Sequence, residues 1–237
     1  MNKATLKYIA LIIMLIDHIG LVISPFYPIL SFYMRLVGRI SFPIFAFSIA
    51  EGIYYTRSRS KLMLNLFIFA LISELPYIFL VKYTPSIPLG NQIFDLIGLH
   101  NVMFTFLFAV ALCTFLDDIL KGSFGYCVPF IFVLIIGSTS DCDYGVLGVL
   151  MVVALYLVKR QNLDINTAKN LLSLITFIFI LLIYFGSIVF LLVASISIIF
   201  LYLYNGEKGG NAKFIFYIFY PLHLWILALI SLFFIIN

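Results

Sequence analysis

Apolar residues fill this chain in stretches of about 16 to 24, broken by short polar clusters, and runs of that length predict helices that cross a membrane. The breaks place spans at 5–25, 32–55, 62–81, 100–118, 124–139, 143–159, 168–185, 187–204 and 213–235. The run 171–204 has 34 residues and would measure about 51 Å as one helix, too long for a single crossing, so a turn is expected at Gly186 and Ser187. Residues 82–99 (KYTPSIPLGNQIFDLIGL) mix two prolines and two glycines with apolar residues, which predicts a re-entrant or interfacial lid more than a solvated linker. There is no internal repeat, low-complexity tract or composition shift to mark a boundary. The expected fold is all-α: one domain over residues 1–237, a polytopic transmembrane helical bundle of about nine spans, with eight to ten as the range.

Composition excludes a soluble globular enzyme: 64% of residues are hydrophobic and 10% charged, against about a quarter charged in soluble domains. The net charge of +4 describes topology rather than affinity for nucleic acid, because the basic residues are dispersed among loops. With the N-terminus in the cytoplasm, eleven of the fourteen basic residues fall inside, among them Lys3, Lys7, the Arg57–Arg59–Lys61 cluster and Lys208; Arg35, Arg39 and Lys82 fall outside. The first apolar run carries Asp17 and His18 and lacks a small-residue cleavage pattern, so it is expected to be a retained helix. Cys113, Cys127 and Cys142 have neither pairing nor metal-type spacing, so neither a disulfide nor a metal site is expected.

Ionisable side chains inside spans cost about 2.5–3.5 kcal/mol each on insertion scales, so several in one small bundle mark a candidate site. On this topology Asp17, His18, Arg39, Glu74, His100, Asn101, Asp143 and Tyr144 fall in the outer half of the membrane, with His223 near the midplane. Lys7 and His18 are eleven residues apart, about three turns plus 20°, so both project from one face of the first helix about 16 Å apart. That separation suits an extended thioester carrier whose phosphates bind the lysine while its acyl end reaches the imidazole. Asp17 points about 100° away from His18 on the same helix; it could orient the imidazole through a neighbouring helix or a water, or pair with Arg39. Structural readings compete with these. His18 could be a packed residue bonded to a carbonyl, and His223 could satisfy the Tyr217 carbonyl that Pro221 leaves without an amide. Arg39 and Glu74 could be a buried structural pair, Asp141 and Asp143 a solvated turn, and Glu51 a partner for the Arg57–Lys61 cluster. The 26 Phe and 15 Tyr are read as packing and lipid contact.

The polar segments MLIDHIG (14–20), GRISFPIFAFSIAEG (38–52), SELPY (73–77), HNVMFTF (100–106), DYGVLG (143–148) and FYPLHL (219–224) together resemble the TraX family of conjugation-associated membrane proteins. The resemblance implies acetylation of pilin N-termini with acetyl-CoA as co-substrate, in a multi-pass protein of the bacterial inner or cytoplasmic membrane. The Lys7–His18 spacing also resembles the signature of integral-membrane acyltransferases, in which a basic residue precedes a catalytic histidine by a ten-residue gap. By that likeness His18 is the general base, Lys7 binds the carrier, and Asp17, Arg39, Asp143 and His223 support the site.

The function expected is therefore acetyl transfer from cytoplasmic acetyl-CoA to an extracytoplasmic amine or hydroxyl, on a pilin-like protein or a surface glycan. Arg39, Asn101 or Tyr144 would supply oxyanion donors. The expected partners are acetyl-CoA, membrane lipids and that acceptor, and no nucleic acid. Two rivals come from other classes. One is a proton-coupled secondary transporter relaying through Asp17, His18 and Glu74, which paired inverted repeats and broken helices would favour. The other is a non-catalytic assembly factor for conjugation or surface structures, with polar residues as helix glue.

Overall fold

Asn2 accepts the Thr5 amide through its side chain at 2.9 Å and starts α1 (Lys3–Ile23). The computed structural model describes residues 1–81, 98–161, 163–210 and 213–236. Nine further α-helices follow among the described residues: α2 (Pro28–Gly38), α3 (Ser41–Tyr55), α4 (Arg59–Val81), α5 (Val102–Leu120), α6 (Cys127–Thr139), α7 (Gly145–Arg160), α8 (Ile165–Ile183), α9 (Ile188–Tyr202) and α10 (Lys213–Ile236). None of the described residues forms a strand. The segment 82–97, which holds most of the expected lid, lies outside the described residues.

Among the described residues six helical segments are long and apolar enough to cross a bilayer: α1, the α2–α3 pair as one stretch from Pro28 to Tyr55, α4, α5, α8 and α10. Phe124–Thr139 and α9 are apolar but shorter. Large apolar side chains face outward on every side of the bundle, among them Ile29, Phe67, Leu75, Phe132, Leu192 and Leu229. An exterior of this kind is a lipid-facing surface, and the protein is a multi-pass membrane protein. The turn expected between the seventh and eighth spans occurs where Gly186 and Ser187 stand, with Ser187 at the N-cap of α9.

One expected span divides. Residues 32–55 are not a single helix: α2 ends at Gly38 and α3 begins at Ser41. Pro43 is the reason, because it has no amide to return to the carbonyl of Arg39, four residues earlier, and its ring crowds that carbonyl. The joint closes instead through tighter bonds, Arg39 N–H to the Leu36 carbonyl at 3.2 Å and Ile40 N–H to that of Val37 at 3.1 Å.

α3 is the centre of the bundle, buried along almost its whole length. It packs against α1, α5, α7 and α9. Phe42, Phe47, Phe104 and Phe106 fill the interior, with the Phe42 ring stacked on Tyr144 at 3.6 Å between centroids. α10 lies along α4 and α1, and the Trp225 indole N–H donates to the Ile72 carbonyl at 3.2 Å. α10 therefore faces the same side of α1 that carries His18.

Candidate functional site

α1 carries a different site at each of its ends. Near its start, a cavity of about 710 Å³ opens among α1, α3, the turn into α4, the α9–α10 connection and α10. Lys3, Lys7, Arg57, Lys61 and Lys208 line it, with Glu51 as its buried acid. Glu51 does not pair with the Arg57–Lys61 cluster as expected: it accepts from Lys3 at 2.9 Å, Lys159 at 3.3 Å and the Tyr204 hydroxyl at 2.7 Å. Tertiary packing overrides sequence proximity here, since a fully buried carboxylate needs partners from several elements at once. Burial and Glu51 raise the Tyr204 hydroxyl well above the usual tyrosine range. Arg59 is likewise drawn away, to Asp117 at 2.6 Å and Tyr156 at 2.7 Å. Among the described residues no carboxylate pairs with Arg57, Lys61 or Lys208, so the cavity keeps a surplus of positive charge. Lys7 sits with its ammonium 5.0 Å from the Phe216 ring centroid.

Toward the other end of α1, Asp17 and His18 diverge as their 100° separation requires. Asp17 accepts from Arg39 Nη2 at 2.7 Å, and Arg39 Nε donates to the Arg35 carbonyl at 3.0 Å. The partner of His18 is another imidazole: its Nδ1 lies 2.8 Å from Nε2 of His223, and both rings are buried. His223 Nδ1 is in turn 2.7 Å from the Phe219 carbonyl, one helical turn back on α10. So Asp17 takes Arg39 and not His18 as its direct partner, and His223 turns to the Phe219 carbonyl and not to the Tyr217 carbonyl freed by Pro221. The guanidinium groups of Arg35 and Arg39 lie within electrostatic range of His18.

Glu74, His100 and Asn101 form a second knot. Glu74 accepts from His100 Nδ1 at 2.6 Å, the His100 amide at 2.9 Å and the Asn101 side-chain amide at 2.5 Å. Asn101 also donates to the Ala70 carbonyl and caps α5 by accepting the Met103 amide at 3.0 Å. Its donors are therefore occupied, which removes it from the expected oxyanion set. The structural pair suggested for Arg39 and Glu74 does not form: Arg39 pairs with Asp17, and Glu74 accepts from His100 and Asn101.

Asp143 joins the two regions. Its amide donates to the His100 carbonyl at 2.7 Å, its carboxylate accepts from Tyr77 at 2.6 Å, and its carbonyl accepts from Thr105 at 2.6 Å. Asp143 is thus not part of a merely solvated turn as suggested; its neighbour Asp141 is exposed. Tyr144 is the one non-glycine residue at positive φ among those described, at 65°. The stacking on Phe42 holds it there against a backbone preference of about 1 kcal/mol or more.

Three participants were not singled out from sequence: Arg35, Tyr77 and Tyr184, which lies close to Arg39 and Tyr144. Arg35 was within reach, because it precedes Arg39 by four residues and so shares its helix face. Tyr77 follows Glu74 by three and was legible in the same way; Tyr184 carried no local signal.

Leu11 and Met14 occupy the α1 face between Lys7 and His18, and both are buried. The cavity is lined by Lys7 but not by His18. The two ends of the face are thus separated by packed apolar side chains.

The family model described as TraX protein matches residues 2–231. The probable fimbrial assembly protein FimC, serogroup H1, of Dichelobacter nodosus is 27% identical over 236 residues, covering 96% of this chain and 95% of that protein. No solved structure matches.

Proposed function

The chain belongs to the TraX family, and from that premise we propose that it is a transmembrane acetyltransferase. Acetyl-CoA docks at the basic cavity from the cytoplasm, and an amine or hydroxyl acceptor approaches from the extracytoplasmic side. The observation that carries this reading is the division of labour along α1. Lys7 lines a cavity with surplus positive charge, while His18, about 16 Å further along the same face, stands among buried polar groups.

The chemistry follows from the two ends. CoA is a polyanion, and Lys7, Arg57, Lys61 and Lys208 offer charge-assisted donors to its phosphates. The pantetheine arm then runs along α1, and the side chains of Leu11 and Met14 swing aside to admit it. The acceptor nitrogen or oxygen bonds to the thioester carbonyl carbon while His18, as neutral imidazole, takes its proton, a contribution of about 10²–10⁴ in rate. The C–S bond breaks as the tetrahedral adduct collapses, and the departing thiolate takes the proton from His18 to leave as free CoA. Arg39 retains guanidinium donors beyond those given to Asp17 and the Arg35 carbonyl, and these serve the oxyanion. A pilin-like N-terminus is the acceptor that the family favours; a surface glycan hydroxyl is the alternative.

Topology belongs to the same proposal. The basic end of the bundle faces the cytoplasm, and α6, α7 and α9 cross as short helices to complete about nine spans. A reporter fused after Asn237 then behaves as extracytoplasmic, and a cytoplasmic signal refutes the odd span count.

The test of the activity is direct. Purified protein with radiolabelled acetyl-CoA yields labelled acceptor, or hydrolysed thioester without one, and His18→Gln abolishes both while the protein remains folded. A fully active His18→Gln protein overturns the assignment. A second reading is a non-catalytic membrane assembly factor. The name of the Dichelobacter nodosus relative favours it, as does the closed Leu11–Met14 face. It is adopted if the purified protein leaves acetyl-CoA untouched and pilus or fimbrial subunits still fail to assemble in its absence.

A further inference from the structure

The contacts of the two buried imidazoles fix the positions of their protons. The Phe219 carbonyl can only accept, so His223 Nδ1, at 2.7 Å from it, carries a hydrogen. If His223 is neutral, its Nε2 is a bare lone pair, and the His18 Nδ1 at 2.8 Å must donate to it. His18 is then protonated at Nδ1 and bare at Nε2.

Neutrality of the pair follows from its surroundings. Both rings are buried; they lie against each other, and His223 is also packed against the Phe219 and Tyr220 rings. The charged groups acting on His18 are the cations Arg35 and Arg39. An additional positive charge there would be both desolvated and repelled.

We infer that His223 is a positioning residue that holds His18 in its Nδ1–H tautomer, leaving Nε2 as the proton-accepting atom. A neutral imidazole left to itself prefers the opposite tautomer, with the proton on Nε2, so the contact reverses an intrinsic preference. The arrangement replaces the carboxylate of the familiar nucleophile–histidine–carboxylate relay with an uncharged acceptor. That substitution suits a site with lipid around it, where an unpaired carboxylate would itself need a counter-charge. Phe219, through its backbone, is the last link. The i, i+4 spacing on α10 makes the whole relay depend on one helical turn, with Pro221 inside it.

The use made of the Nε2 lone pair rests on the acetyl-transfer reading; the tautomer does not. Two measurements separate them. The chain has three histidines, so imidazole ¹⁵N spectra of the protein in detergent can be assigned by single substitution. The expected result is a neutral His18 bonded to hydrogen at Nδ1, reverting toward Nε2–H in His223→Leu. A wild-type His18 protonated at Nε2, or an Nδ1–H tautomer that persists in His223→Leu, overturns the inference whatever the enzyme does. In the acetyl-CoA assay, His223→Leu lowers kcat about 10²-fold with KM for acetyl-CoA unchanged. His223→Gln, whose carbonyl can accept from His18 Nδ1, recovers at least part of that loss. Equal kcat in the two variants makes His223 a packing residue. A wild-type protein with no transferase activity removes the acetyl-transfer reading alone and leaves the spectroscopic result standing.

Discussion

Asp17 on α1 and Arg39 at the α2–α3 joint meet in an ion pair of 2.7 Å that fastens the broken second span to the first. Gly38 makes the approach possible, since a β-carbon there would collide with the Asp17 side chain. Both partners are mostly buried, so removing one leaves the other charge uncompensated. Asp17→Asn is expected to cost about 3 kcal/mol of stability, read as a lower unfolding midpoint in detergent. Asp17→Asn combined with Arg39→Leu recovers a substantial part of it. If the double variant is as unstable as the sum of the single ones, the pair does not act as a unit.

The cavity at the start of α1 makes a prediction about charge. Arg57→Ala and Lys208→Ala, neither engaged with a carboxylate among the described residues, are each expected to raise KM for acetyl-CoA about tenfold. They leave stability and kcat close to wild type. KM also rises with ionic strength, because these groups are exposed to screening. A salt-independent KM would place the carrier elsewhere.

Met14 tests the path between the ends. Met14→Trp fills the α1 face between Lys7 and His18 with a rigid ring. It is expected to lower kcat at least tenfold, while binding of CoA at the cavity, followed by calorimetry, is unchanged. Unaltered turnover in a folded Met14→Trp protein would mean that the acyl group does not travel along this face.

Asp164 gives a pH dependence with a definite sign. It lies outside the membrane-spanning helices and caps α8, and bonds from the Thr167 hydroxyl and amide, the latter at 3.0 Å, hold its carboxyl below the usual range. A carboxyl lowered in the folded state stabilises fully above its unfolded pKa and loses that contribution as pH falls through its folded one. The unfolding midpoint of wild type should therefore exceed that of Asp164→Ala near neutral pH, with the difference shrinking in acid. An unchanged difference in acid would refute the carboxylate cap.

The sequence by itself determined the helical class, the membrane setting, the turn at Gly186 and Ser187, and the family. Each of these follows from local quantities: the length of an apolar run, the cost of a charge in lipid, or the order of short motifs. The Lys7–His18 face was legible too, because helix periodicity is fixed by the backbone alone. The tertiary structure decided the partners. Asp17 had two candidate roles and took Arg39. Glu51 passed over the nearby Arg57–Lys61 cluster for Lys3, Lys159 and Tyr204, and His18 found His223 from the opposite end of the chain. Pairing in a membrane bundle depends on which faces of distant helices meet. A buried polar group must be satisfied by whatever that packing brings within about 3 Å, and no periodicity along one helix records it.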